Sequence, residues 1–246
     1  MLKAFFSMFL ASVATFVFGS IGLVVSLFSQ DLVIRFAVRP WGKAVLASCF
    51  IRLRVKGVEN IPPEPSIIMY NHQSAFDIPA LTASLPVDYR MIMKNEVLMI
   101  PFVGWLSKAA GHYSVARDGG GGDTKQLKVM SRGISEKKQT LVFAPEGTRS
   151  ATGRLLDFKK GGFLIASVSN APVVPMIIWG GKDIKKKSGW VFKPGGSMSV
   201  EFLPPLRPDK SLAGRKRIEK LEREVRDAML AKVEERFRDE EASAVQ

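Results

Sequence analysis

From Ala4 to Gln30 the chain carries no charged residue. A helix needs about 20 apolar residues to cross the hydrocarbon core of a bilayer, so this run is long enough to span one. A buried helix of a soluble core is the weaker alternative, because nothing charged interrupts the run. It is too long for a secretory signal peptide and lacks a small-residue cleavage site, so it is expected to be retained. Lys3 precedes it, and Arg35, Arg39 and Lys43 follow. By the positive-inside rule, a spanning helix leaves the rest of the chain in the cytoplasm. Gly19 and Gly22 offer a place to bend, which makes a two-helix hairpin embedded in one leaflet the competing geometry. Residues 1–48 are therefore read as a membrane anchor, and the expected location is the cell inner membrane.

The length, 246 residues, leaves room for one sizeable globular core beyond that anchor. Lys and Arg number 36 against 23 Asp and Glu, a formal charge of +13. Such an excess favours an anionic partner: a phospholipid surface, an acidic carrier protein, a phosphorylated substrate or nucleic acid. Nucleic acid is the poorest fit, because it gives the apolar run no purpose and no basic helix or aromatic–basic strand pattern occurs. Cys49, the single cysteine, excludes an intramolecular disulfide and any multi-cysteine metal site. It lies in the apolar run "AVLASCF" and reads as a packed thiol.

Beyond residue 50, short apolar runs alternate with helical patterns. "IRLRV" (51–55) has the period-two alternation of a half-buried strand, while 66–70, 141–144 and 173–178 read as buried strands. Helical patterns fill 75–84, 102–110, 124–137 and 161–169. Strand and helix taking turns predicts an α/β fold, with a mixed, largely parallel sheet flanked by helices. The glycines of "DGGGGD" (118–123) do not have the spacing of a phosphate-binding loop. Near the C-terminus Ile218, Leu221, Val225, Met229, Val233 and Phe237 recur at helical spacing. Charges of both signs cover the other faces, so an amphipathic helix docked on the core is expected within 206–246. Residues 49–205 are left as the α/β unit between them.

Chemistry is concentrated in two stretches. In "NHQSAFD" (71–77), His72 and Asp77 are five residues apart, which on a continuous helix places them about 140° out of register. They can meet only if His72 sits in a loop after the 66–70 strand and Asp77 in the first turn of the next helix. An aspartate on one imidazole nitrogen fixes the tautomer and leaves the other nitrogen to accept a proton as a general base. Alone, the spacing is weak evidence. "FAPEGTRS" (143–150) follows another buried strand and sets Glu146, Gly147, Thr148 and Arg149 at its carboxyl end, where ligands of open α/β sheets sit. Gly147 allows close backbone approach, Thr148 offers a hydroxyl, and Arg149 offers a planar fork suited to phosphate. The plain alternative for Glu146 and Arg149 is an ion pair within the turn.

With these residues the sequence resembles the 1-acyl-sn-glycerol-3-phosphate acyltransferases of the bacterial type. "NHQSAFD" looks like that family's N-H-x4-D block, "KNEVLMIPFVGWLSKAAGHYSVAR" (94–117) its second block, "FAPEGTRS" its third, and "APVVPM" (171–176) its proline-containing fourth. The resemblance covers about residues 50–205. It implies a glycerolipid acyltransferase fold, His72 as general base and Asp77 as its orienting partner. Lys94, Arg117 and Arg149 would bind the acceptor phosphate, Glu146 and Gly147 would shape that site, and Pro175 would line the acyl region. Val115-Ala116 before Arg117 depart from the isoleucine–aspartate pair usual in the family. His112, inside the same block, has no role in the pattern and reads as structural.

The implied reaction acylates the sn-2 hydroxyl of lysophosphatidic acid from acyl-CoA or acyl carrier protein (acyl-ACP), giving phosphatidic acid. A hydroxyl is a poor nucleophile until a base takes its proton, whereas a thioester is already activated, so no cofactor or metal is implied. Ser74 is too close to His72 along the chain for a nucleophile–base pair. The competing readings are the same chemistry on another lysolipid, such as lyso-ornithine lipid, and a membrane lipid-binding protein without catalysis. Lysines cluster around Trp190 in "KDIKKKSGWVFKPG" (182–195). This is the composition of a loop facing an anionic membrane surface or of a plain solvated one.

Overall fold

The computed structural model describes residues 2–115, 124–185 and 192–244. Its centre is a seven-stranded sheet in the order β1-β7-β6-β2-β5-β3-β4. The strands are β1 (Arg52–Lys56), β2 (Ile67–Tyr70), β3 (Tyr89–Lys94), β4 (Tyr113–Val115), β5 (Thr140–Phe143), β6 (Val173–Trp179) and β7 (Ser197–Phe202). From β6 across to β4 all neighbours run parallel; only the β6–β7 pair is antiparallel, and β1 lies parallel to β7. This is the mixed, largely parallel α/β architecture expected from the alternating pattern. The continuous apolar runs of β2, β5 and β6 are explained by position, since each is buried throughout with helices on both faces. β1 differs from expectation: it is an edge strand paired only with β7, and only Leu53 among its residues is not exposed.

Alternate residues of the strands feed two cores. One face carries Ile68, Tyr70, Val142, Met176 and Ile178, covered by the N-terminal helices, by α4 (Asp77–Ser84) and by α5 (Val103–Ala109). The other carries Ile67, Met69, Leu141, Val173 and Ile177. It is covered by α6 (Thr124–Ser135), α7 (Gly161–Ser169) and the long α9 (Gly214–Ala244). Leu221, Val225, Met229 and Val233 of α9 are each at most 1% exposed, one face of a helix on the sheet. Burying such side chains stabilises by about 1.5–3 kcal/mol each.

The apolar N-terminal run is one helix, α1 (Leu2–Val25), followed by a turn over 26–28. Next come α2 (Gln30–Val33), a π-helical turn (Ile34–Val38) and α3 (Arg39–Ser48). The chain thus reverses at 26–28 and not at Gly19 or Gly22, which serve packing instead. A Cβ on Gly22 would lie 2.2 Å from Leu106 Cδ1, and one on Gly19 would lie 3.3 Å from the Phe102 ring. α1 is held to the body from end to end. Lys3 Nζ lies 4.8 Å from the Phe50 ring, Trp41 Nε1 donates to Thr15 Oγ1 at 3.0 Å, and Gly22 seats Leu106. Its opposite face exposes Phe5, Phe9, Val13 and Phe16, and Phe16 leads across to Phe102 and then Trp105 at ring distances of 5.2 and 4.9 Å. Arg35 and Arg39 both bond Asp88, and Arg90 bonds Asp31 at 2.7 Å, so this segment is also tied to the start of β3.

Candidate active site

β2 and β5 are neighbours, yet their outgoing connections leave toward opposite faces: β2 leads into α4 on one face, β5 into α7 on the other. A crevice opens at the carboxyl ends of such a strand pair. The loop after β2 places His72 there, and the loop after β5 places Glu146, Gly147, Thr148 and Arg149. Lys94, the last residue of β3, ends the next strand on the same edge.

His72 and Asp77 meet as their spacing required, with His72 in the loop and Asp77 the first residue of α4. Nδ1 of the imidazole lies 2.8 Å from Asp77 Oδ2. The same oxygen accepts backbone N–H groups from Gln73 at 2.7 Å and Ser74 at 2.8 Å. Three contacts converge on one carboxylate oxygen of a fully buried residue and fix it in place. Nδ1 must then carry its proton to donate, so Nε2 is the free acceptor. The His72 side chain is 21% exposed, open at the crevice, while Asp77 is closed off.

The loop is braced at each end. The Asn71 amide donates to Ile178 O at 3.0 Å and accepts from Ile178 N–H at 2.7 Å, carrying the β2–β6 ladder one step past the strand. His72 O accepts the Ser150 N–H at 2.7 Å. Glu146 makes no ion pair with Arg149. Its Oε1 accepts the His72 N–H and its Oε2 the Leu156 N–H, each at 3.0 Å, and the side chain is buried. Burial pushes its carboxyl pKa up, against the pull of those two amides. Glu146 therefore knits the His72 loop to the chain that follows the turn, and Arg149 is left without an ion pair among the described residues.

Gly147 has φ +65°, in the left-handed region, where its missing Cβ avoids strain. Thr148 is exposed, Arg149 and Lys94 are half-buried, and Pro175 is buried in β6 beside Met69 of β2. Pro175 can occupy an interior strand because β7 ends at Phe202. Its carbonyl accepts the Leu203 N–H at 2.8 Å, and only the returning bond is lost. Arg117, and Trp190 with the lysines beside it, lie outside the described residues. Of the basic loop, Lys182 folds inward, 5.0 Å from the Trp179 ring and 4.7 Å from Phe237. Phe192 is buried beside Phe76. His112 is remote from the crevice: its Nδ1 accepts the Met91 N–H at 3.2 Å, and burial lowers its pKa to about 3. The Cys49 thiol is buried, which raises its pKa to about 11.

Gly181 has no counterpart in the sequence reading. A Cβ there would lie 2.7 Å from Asp77 Oδ1 and 2.9 Å from Ser74 Cβ, so this glycine leaves the room that the carboxylate occupies. The Gly180-Gly181 doublet directly after an apolar strand is the signal that marks it.

A family model described as Acyltransferase matches residues 52–179, from β1 through β6. A 1-acyl-sn-glycerol-3-phosphate acyltransferase of Limnanthes douglasii is 33% identical over 65% of this chain and 56% of its own length. The chain thus spans about half the length of such plant relatives. One of Pseudomonas aeruginosa is 28% identical over 76% of this chain and 74% of its own. The crystal structure of the 1-acyl-sn-glycerophosphate (LPA) acyltransferase PlsC from Thermotoga maritima superposes with a TM-score of 0.80. It is 28% identical and covers 95% of this chain and 94% of that one.

Proposed function

Since this chain belongs to the acyltransferase family, we propose that it acylates the sn-2 hydroxyl of lysophosphatidic acid from an acyl thioester, forming phosphatidic acid. The observation that carries the chemistry is the His72–Asp77 contact of 2.8 Å with Nε2 left open at the crevice. In this reading Nε2 takes the hydroxyl proton as the oxygen attacks the thioester carbon. The C–O bond forms, the C–S bond breaks, and the departing thiolate leaves as thiol with that proton. Asp77 stabilises the imidazolium formed in between. The donor is carried by coenzyme A or by acyl carrier protein.

Arg149 and Lys94 supply the reason for a phosphate-bearing acceptor. Both stand on the crevice edge, half-buried and without an ion pair among the described residues. A guanidinium can take two phosphate oxygens through parallel hydrogen bonds. In the same proposal Gly147 and Thr148 border the phosphate, and Pro175 lines the space for an acyl chain.

The membrane is part of this reading. α1 has 24 residues, about 36 Å at 1.5 Å each, enough to cross a bilayer. Its attachment to the body along that whole length favours a helix lying in one leaflet, with its apolar outer face among the acyl chains. The site would then face the cytoplasm at the inner membrane, where a lysolipid can reach it without leaving the bilayer.

An acceptor panel tests the proposal. Detergent-solubilised protein is offered one labelled acyl thioester with lysophosphatidic acid, lyso-ornithine lipid or lysophosphatidylcholine. Lysophosphatidic acid is expected to have the highest kcat/KM by at least tenfold. A preference for lyso-ornithine lipid would move the same chemistry to another acceptor, and no transfer to any of them would refute it.

A further inference from the structure

We propose that Lys159 is a phosphate-binding residue for the acceptor, acting from above the 145–148 turn. This rests on the preceding reading of the crevice and extends it to a residue outside the matched sequence blocks. The side chain crosses the turn directly: a Cβ on Gly147 would lie 2.9 Å from Lys159 Cε and 3.2 Å from Nζ. The left-handed glycine therefore makes the space through which this lysine passes. Its backbone is fixed to the same turn, the Lys159 N–H donating to Pro145 O at 2.9 Å.

The cations around it are engaged elsewhere. Lys160, the next residue, pairs with Glu219 at 3.3 Å, and Arg226 donates to Leu156 O at 2.8 Å. Lys159 is exposed and makes no ion pair among the described residues. The one carboxylate of the turn is Glu146, and both of its oxygens are turned toward the backbone amides of His72 and Leu156. A cation is thus held over a turn whose acid faces away from it, two residues before Arg149. In this proposal the anion taken by Arg149, two residues past Gly147, is also met by Lys159. A phosphate dianion has oxygens for both, and an ammonium is a point donor that adapts to whichever oxygen the guanidinium leaves.

The test uses the full chain in detergent, with lysophosphatidic acid and an acyl-CoA varied in turn. Losing one charge-assisted hydrogen bond corresponds to about a tenfold or larger loss of affinity. Lys159→Gln should therefore raise the KM for lysophosphatidic acid about tenfold, leave the acyl-CoA KM within about twofold, and melt at the wild-type temperature. Lys159→Arg should restore most of the acceptor KM. An unchanged acceptor KM in Lys159→Gln overturns the inference. So does a rise confined to acyl-CoA or shared equally by both substrates, because the lysine would then serve the donor phosphates or the general field. Wild-type protein that fails to acylate lysophosphatidic acid at all would instead defeat the underlying reading of the crevice, so the two failures are distinct.

Discussion

Asp77 shows how much of the site rests on one atom. Its Oδ2 takes three donors while Oδ1 has none among the described residues, and the space beside Oδ1 is the space Gly181 leaves empty. Gly181→Ala puts a methyl 2.7 Å from that oxygen. The carboxylate has to move, and with it the imidazole. Misplacing a catalytic group by about 1 Å can cost about 10²-fold, so kcat should fall by that order while the acceptor KM stays near wild type. A steady-state comparison of the two proteins checks this, and an unchanged kcat would show that the carboxylate relaxes without moving His72. The His72–Asp77 encounter was legible in the sequence, because only one placement of the two residues lets them touch. Gly181 was not, since it lies 104 residues downstream of Asp77 and only the return of β6 beside β2 brings it near.

Among the elements, those with long uninterrupted patterns were readable and those that depend on a neighbour were not. β2, β5 and β6 follow from apolar runs that the sheet buries on both sides, and α7 from an apolar run packed on one face of the sheet. β3 hides behind Arg90, a buried charge paired with Asp31 from the far N-terminal segment. β4 has three residues, below the length at which a strand pattern can be recognised. In β7 the inward Met198, Val200 and Phe202 alternate with Ser and Glu, a half-buried signal partly concealed by its polar partners. α1 was legible as an apolar helix, and the bend that the competing hairpin placed at Gly19 or Gly22 falls instead at 26–28. Those glycines form its packing face. That assignment separates the two sides of the helix. Gly22→Leu forces a side chain into Leu106, and overpacking of that kind costs about 1–3 kcal/mol. A drop of several degrees in melting temperature is expected, at roughly 2–4 °C per kcal/mol for a chain of this size. Phe9→Ala, on the outer face, should leave melting unchanged and weaken binding to phospholipid vesicles. The opposite pattern, with Gly22→Leu silent and Phe9→Ala unfolding, would reverse the faces.

At the scale of the molecule, a parallel sheet, a crevice and an apolar flank combine into one arrangement. The switch in direction between the loops after β2 and β5 opens the crevice. Glu146 ties those loops together, and α1 with α5 turns an apolar surface outward. The formal charge of +13 is what the proposed anionic acceptor at an anionic surface calls for. In the proposed reaction His72 is the base that takes the proton of the attacking hydroxyl. The direct measurement is turnover of lysophosphatidic acid by wild type and His72→Ala, in one assay with a labelled acyl thioester and with melting temperatures recorded for both. His72 is partly exposed and its backbone bonds survive the substitution, so the variant should fold normally. General-base catalysis typically supplies about 10²–10⁴-fold, and a loss toward the upper end of that range is expected with the acceptor KM little changed. A folded His72→Ala protein that retains more than about a tenth of wild-type turnover would contradict the account.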